Sequence, residues 1–207
     1  MKGEHEEAAL RHFKKTDPVL YKAAKRHQGA IVSRVSPKRT KDTLFAALAS
    51  SVVSQQLSLK AADTIWNRLK MAAGGAVTAA SITALKEERM REAGLSAAKV
   101  KTLKQLAEAV HDGLHLPTLK RMPEEEAIAS LTQIWGIGTW TAEMFLIFAL
   151  GRLDVFSPGD LGLVRSMELL YGIPKNSSKE EYVLIAQKWA PYRSVACLVL
   201  WRHRDSV

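Results

Sequence analysis

Cysteine is nearly missing from this chain: Cys197 stands alone among 207 residues. One thiol closes no intramolecular disulfide and builds neither a cysteine-rich zinc site nor an iron–sulfur cluster. Set in the apolar run 194–201, it reads as a buried core thiol. None of the six histidines stands at a metal-ligand spacing. Long apolar runs are also missing. No stretch reaches the roughly 18 residues that crossing a bilayer demands, and residues 1–13 are charged rather than apolar. No membrane partner is expected, and the chain reads as soluble and intracellular, cytoplasmic in a bacterium or nuclear in a eukaryote. Alternating β-branched runs between turn residues do not occur either, which argues against a sheet.

What the chain does have is basic charge and helical periodicity. Lys and Arg number 30 against 21 Asp and Glu, a formal charge of +9. That balance favours a polyanionic partner through phosphate neutralisation and counterion release. It also fits solvated Lys and Arg faces, so charge alone selects no partner. With 47% hydrophobic residues, the chain can bury one core or two small ones. Apolar residues recur at three and four positions almost throughout, which predicts an all-α fold.

The segment 5–27 reads as a helix, then Thr16-Asp17-Pro18 starting a second helix, with a stop near Gly29. A basic connector, Ser36-Pro37-Lys38-Arg39-Thr40-Lys41, leads into a long helix with Leu44, Leu48 and Val52 on one face. Further helices are predicted over 59–69, 82–93 and 96–111, with Gly94 as the cap between the last two. Pro123 before Glu124-Glu125-Glu126 opens another, because proline suits the first helical position and acidic residues suit the positive end of the helix dipole. The run 142–150, apolar except at Glu143, reads as a helix enclosed by others; 160–171 and 179–204 supply two or three closing helices.

Two loops carry candidate chemistry. In Thr132-Gln133-Ile134-Trp135-Gly136-Ile137-Gly138-Thr139-Trp140, two glycines sit two apart between helices. Glycine at both sites permits positive φ and close approach of another backbone, while the next helix start points unpaired N–H groups outward. Such a turn suits a phosphate, and it equally describes an ordinary tight connection. Farther on, Ser157-Pro158-Gly159 ends in Asp160 at a helix start, where an aspartate is also a common N-cap.

These blocks resemble the helix-hairpin-helix, Gly/Pro-rich loop, Asp superfamily of DNA glycosylases, and within it the 3-methyladenine DNA glycosylase II type. The likeness runs from about Asp17 to Arg202. It rests on Ser54-Gln55-Gln56-Leu57-Ser58, Gly94-Leu95-Ser96, Trp135-Gly136-Ile137-Gly138-Thr139-Trp140-Thr141-Ala142, Phe156-Ser157-Pro158-Gly159-Asp160 and Pro191-Tyr192-Arg193-Ser194-Val195-Ala196.

The resemblance implies two helical subdomains, residues 1–50 with 151–207 and residues 51–150, with the active-site cleft between them. It implies a base-excision enzyme that hydrolyses the N-glycosidic bond of alkylated purines in duplex DNA, with Asp160 as catalytic carboxylate. Cleavage leaves positive charge on the sugar, which a carboxylate stabilises. Gly136, Ile137, Gly138 and Thr139 would bind DNA phosphate, and the carbonyls of Thr132, Ile134 and Ile137 a Na⁺ or K⁺; no other cofactor is expected. Gln56, with Leu57 next in line, would wedge into the duplex as the damaged base swings out. Trp140 and Trp201 match pocket tryptophans, and Met144 stands where the family has a pocket tyrosine. Strand-nicking members carry a lysine where this chain has Trp140, so a monofunctional enzyme leaving an abasic site is expected. Asp154, Trp66 and Trp189 are assigned to structure, and Arg165, Arg193 and Lys99 are candidate phosphate contacts. The asymmetric substrate favours a monomer. A glycosylase for oxidised or deaminated bases, and a non-catalytic helix-hairpin-helix DNA-binding protein, remain the alternatives.

Overall fold

The computed structural model describes residues 2–27, 41–175 and 177–204. Among these the regular elements are helical: α1 (Lys2–Thr16), α2 (Pro18–Arg26), α3 (Lys41–Ser54), α4 (Leu59–Ala72), α5 (Ala79–Ala84), α6 (Glu87–Glu92), α7 (Ala97–His111), α8 (Glu124–Thr132), α9 (Thr139–Met144), α10 (Leu161–Tyr171), α11 (Lys179–Gln187) and α12 (Arg193–Arg204). A 3₁₀ turn, Leu116–Lys120, precedes α8, and a π turn, Phe145–Ala149, continues α9. The stop near Gly29 and the connector 36–40 lie outside the described residues. No helix among them is long and apolar enough to cross a membrane.

The chain forms two compact units, Met1–Ser36 with Gly151–Val207, and Pro37–Leu150. The first boundary therefore precedes α3 rather than following residue 50. The reason is packing: α3 lies against α4, α7 and the π turn, all in the second unit, and buries Leu44, Leu48 and Val52 there.

In the first unit α2 and α10 pack on α12, which buries Cys197 completely. The start signal Asp17-Pro18 becomes a tertiary hub. Asp17 Oδ1 accepts the Leu20 N–H at 3.0 Å as an N-cap, while Oδ2 accepts the Tyr171 hydroxyl at 2.7 Å and the Trp189 indole N–H at 2.8 Å. Burial, then the Asp17 carboxylate, pushes the Tyr171 hydroxyl well above the ordinary tyrosine range.

In the second unit α3, α5 and α6 pack on α7. The single helix predicted over 82–93 is instead two, α5 and α6, with Leu85 and Lys86 extended between them. The break is stabilised from α7: Lys104 Nζ donates to the carbonyls of Ile82, Thr83 and Leu85 at 2.9, 3.0 and 2.6 Å. A lysine on the last carbonyls of a helix satisfies acceptors that have no intrahelical partner. Pro123 is the N-cap of α8 rather than its first helical residue. The helix predicted over 142–150 starts earlier, at Thr139, and widens so that the Leu150 N–H reaches the Phe145 carbonyl at 3.0 Å. Such π turns place side chains off the regular helical register.

Candidate active site

Asp160 is the N-cap of α10. Its Oδ1 accepts the Leu163 N–H at 2.8 Å and the Trp201 indole N–H at 3.0 Å. Two donors on one oxygen fix the carboxylate plane, and the helix start adds partial positive charge beside it. The preceding loop is anchored by Val155, Phe156 and Ser157, all buried. Asp160 thus caps α10 while holding its carboxylate in a fixed orientation. Trp201, expected as a base-stacking surface, is hydrogen-bonded to that carboxylate.

Gly162, which the sequence did not single out, is required here by space. A Cβ at that position would approach Asp160 Oδ1 to 3.0 Å and run into the Arg204 guanidinium. The nearby carboxylate of Asp154, assigned to structure, pairs with Arg193. Asp154 Oδ1 receives Arg193 Nε at 2.7 Å and Oδ2 receives Arg193 Nη2 at 3.2 Å, a bidentate pair. Arg193 is thus held by Asp154, which accounts for its place in the sequence without a phosphate. Asp154→Ala is expected to cost about 2 kcal/mol of stability by stripping a charged hydrogen-bond pair. Its turnover per folded molecule should equal that of the parent, measured by thermal melts beside an excision assay; a specific loss of turnover would make Asp154 part of the chemistry.

In the second unit the hairpin joins α8 to α9. Ile134 and Ile137 are buried and pin the turn, with the Ile137 N–H on the Ile134 carbonyl at 3.0 Å. Trp135 and Trp140 stand out, each about half exposed. The two glycines differ. Gly136 has φ +84°, and a Cβ there would strike the Thr102 hydroxyl; Gly138 has φ −88°, and a Cβ there would meet nothing within 4 Å. Positive φ is thus needed only at Gly136, and Gly138 leaves open space over the first turn of α9. The buttress is α7: Thr102 packs on Gly136, Gln105 Oε1 accepts the Trp135 N–H at 3.2 Å, and Lys101 Nζ sits 4.5 Å from the Trp135 ring.

The Gln55-Gln56-Leu57 turn joins α3 to α4. Gln56 adopts φ +55°, unusual for a residue with a side chain, and it and Leu57 are exposed. Gln55 Nε2 donates to the Gly136 carbonyl at 3.2 Å and to Thr141 Oγ1 at 3.3 Å, tying this turn to the hairpin. Lys99, a candidate phosphate contact, is turned inward instead. Its Nζ donates to the carbonyls of Val53 and Gln55 at 2.7 and 2.9 Å.

An open cavity of about 560 Å³ lies between the turn and the hairpin helix, lined by Ser50, Ser54, Gln56, Trp140, Thr141 and Met144 among others. It brings together Trp140, Met144 and Gln56; Leu57 does not line it, and Trp201 belongs to the other unit, beside Asp160. Of these serines, the sequence pointed to Ser54 only within the 54–58 block and did not single out Ser50. Among the described residues no cluster of His, Cys, Asp or Glu could hold a metal ion.

Comparison with known proteins gives a consistent result. Over 179 residues the chain is 39% identical to DNA-3-methyladenine glycosylase 1 of Schizosaccharomyces pombe, covering 83% of this chain and 78% of that protein. The crystal structure of a DNA-3-methyladenine glycosidase from Bacillus halodurans superposes with a TM-score of 0.84 at 35% identity, covering 96% of this chain and 89% of the other. The S. pombe 3-methyladenine DNA glycosylase in complex with abasic DNA gives a TM-score of 0.75 at 35% identity, covering 94% and 95%. Residues 49–191 match the family described as HhH-GPD superfamily base excision DNA repair protein, and the chain belongs to that superfamily.

Proposed function

We propose that this protein is a monofunctional DNA glycosylase that removes alkylated purines, of the 3-methyladenine kind, from duplex DNA and leaves an abasic site. The observation that carries the reading is the Asp160 carboxylate, fixed at a helix start by two N–H donors on one oxygen. N-alkylation makes the purine a good leaving group, so the demanding task is to stabilise the positive charge that develops on the deoxyribose. A fixed carboxylate does this electrostatically and orients the water that adds to the sugar carbon as the purine departs with the bonding electron pair. Trp140, where strand-nicking relatives carry a lysine, offers no amine for a Schiff base.

The other parts serve base extrusion. The first turn of α9, with Gly138 and Thr139, supplies N–H donors to a phosphate next to the Gly136-Ile137 bend. Gln56 fills the space left in the stack, with Leu57 beside it. The aromatic face of Trp140 and the flexible Met144 receive an electron-poor base. A Na⁺ or K⁺, when bound, would be held by the carbonyls of Thr132, Ile134 and Ile137 and would reinforce the phosphate site. The donor set fits: neutral oxygens suit a singly charged ion, and the Ile134 carbonyl, which takes the Ile137 N–H, has a second lone pair. The reaction requires no other cofactor, and the active species is a monomer on damaged duplex DNA.

The test is base release from duplexes carrying 3-methyladenine, 7-methylguanine, ethenoadenine or hypoxanthine. Free alkylpurine should appear, with the strand intact until alkali is added and no covalent adduct trapped by borohydride. Release of hypoxanthine or of an oxidised base alone would favour the glycosylase of other lesions, and no release at all would favour a binding module.

A further inference from the structure

We infer that Lys99 is a positioning residue for base extrusion: its ammonium, bridging the Val53 and Gln55 carbonyls, holds the α3–α4 turn in the conformation that presents Gln56. The inference rests on the glycosylase reading above and assigns a part in it to a residue that touches no substrate.

Gln56 sits at φ +55°, a left-handed conformation disfavoured for any residue with a Cβ. Something outside the turn must hold it. The turn's own hydrogen bonds are long, with the Gln55 N–H on the Val52 carbonyl at 3.4 Å and the Leu57 N–H on the Ser54 carbonyl at 3.2 Å. The Lys99 contacts are shorter, 2.7 and 2.9 Å, and are assisted by charge. One of them grips the Gln55 carbonyl, which belongs to the peptide group immediately before Gln56, so it sets the orientation of that peptide. Lys99 is half-buried, and desolvation lowers its ammonium from the ordinary lysine value. That cost is not incurred by the solvated lysine a phosphate contact would require.

The placement of Lys99 on α7 extends the argument. Residues 99, 102 and 105 follow one another at helical spacing on α7. Lys99 holds the turn, Thr102 packs on Gly136 and Gln105 holds Trp135. Gln55 then crosses from the turn to the hairpin. One rigid helix face thus fixes the part that enters the stack and the part that grips the strand, in a set mutual register. Lys104 provides a built-in comparison, since it captures the carbonyls at the end of α5 in the same way but touches neither turn.

The experiment is a double-mutant cycle in single-turnover excision, with Lys99→Met, Gln56→Ala and the pair, on two duplexes. In one a 7-methylguanine is paired with cytosine; in the other it lies unpaired opposite an abasic site, where little extrusion work remains. Lys99→Met is expected to slow excision about tenfold, the equivalent of one charged hydrogen bond, on the paired lesion and much less on the unpaired one. It should add little once Gln56 is alanine, because the two act through one step. Lys99→Arg should restore most of the rate. Lys104→Met should lower the melting temperature without distinguishing the substrates. Equal losses on both duplexes, or full additivity with Gln56→Ala, would overturn the inference. If Lys99→Met does not fold, Lys99→Gln, which keeps one donor, must show the same substrate-selective loss. Inactivity of the parent protein on both duplexes and on every other lesion of the release assay above would instead sink the glycosylase reading itself.

Discussion

Asp160→Asn should abolish base release, by on the order of 10³-fold, while leaving the protein folded and able to bind DNA. Asparagine is as good an N-cap as aspartate. Its amide oxygen can keep the Leu163 N–H and Trp201 indole contacts that Oδ1 now accepts. Capping is therefore conserved in the variant and only the negative charge is removed, so the protein should remain folded, with no loss of stability from the cap itself. The combination separates a capping role of Asp160 from a catalytic one. A carboxylate that served as a cap alone would lose nothing on becoming an amide; one that stabilises a sugar cation would lose nearly all its effect. DNA affinity should be unchanged or higher, because a negative charge near the phosphates has been removed. Released base by chromatography and binding by fluorescence anisotropy measure the two quantities. Retained excision in a folded Asp160→Asn protein would remove the carboxylate from the mechanism. Trp201→Phe should fall between the parent and this variant, since it deletes one orienting donor on Oδ1 and leaves the charge.

The local chemistry of the fold was legible in the sequence, and the long-range chemistry was not. Asp17-Pro18, Gly94, Ser96 and Asp160 announce helix ends through groups within a few residues of the ends they satisfy, and each sits at such an end in the structure. The apolar face of α3 was equally plain from Leu44, Leu48 and Val52. The break between α5 and α6 was not, because it depends on Lys104, a residue of another helix. The partners of Lys99 and Arg193, candidate phosphate contacts in the sequence, were hidden for the same reason. A basic side chain looks identical in sequence whether it faces solvent, two carbonyls or Asp154, and only the folded partner decides. Trp140 and Met144 line one cavity, whereas the indole N–H of Trp201 has a use that no spacing rule contains. Helical periodicity also gave no hint of the π turn after Met144, since one extra residue in a turn leaves the apolar pattern nearly unchanged.

The hairpin glycines yield the second large effect, because they look equivalent in sequence and are not in space. Gly136→Ala must place a Cβ at φ +84° and against the Thr102 hydroxyl. The backbone term alone costs about 1–2 kcal/mol, and the clash is with a buried side chain on α7 that has little room to yield. The turn is expected to shift, loosening the Gln55 contact with the Gly136 carbonyl, and DNA affinity should fall at least about tenfold together with stability, a loss of roughly 1.4 kcal/mol or more in binding. Gly138→Ala is a different experiment. Its φ of −88° suits alanine, and the added methyl meets nothing in the free protein. Reduced unfolded-state entropy and the poorer N-cap oppose each other, so stability should stay within about 1 kcal/mol of the parent. If the first turn of α9 approaches a DNA backbone closely, this methyl must still weaken binding, with the salt dependence little changed because a neutral N–H contact rather than a cation is displaced. Melting curves and binding isotherms at several salt concentrations thus read the two positions separately. Affinity lost without stability at Gly138, against affinity and stability lost together at Gly136, is the signature of a phosphate clamp. Unaltered binding by Gly138→Ala would mean that no strand comes near the hairpin, and the DNA would then have to be gripped elsewhere.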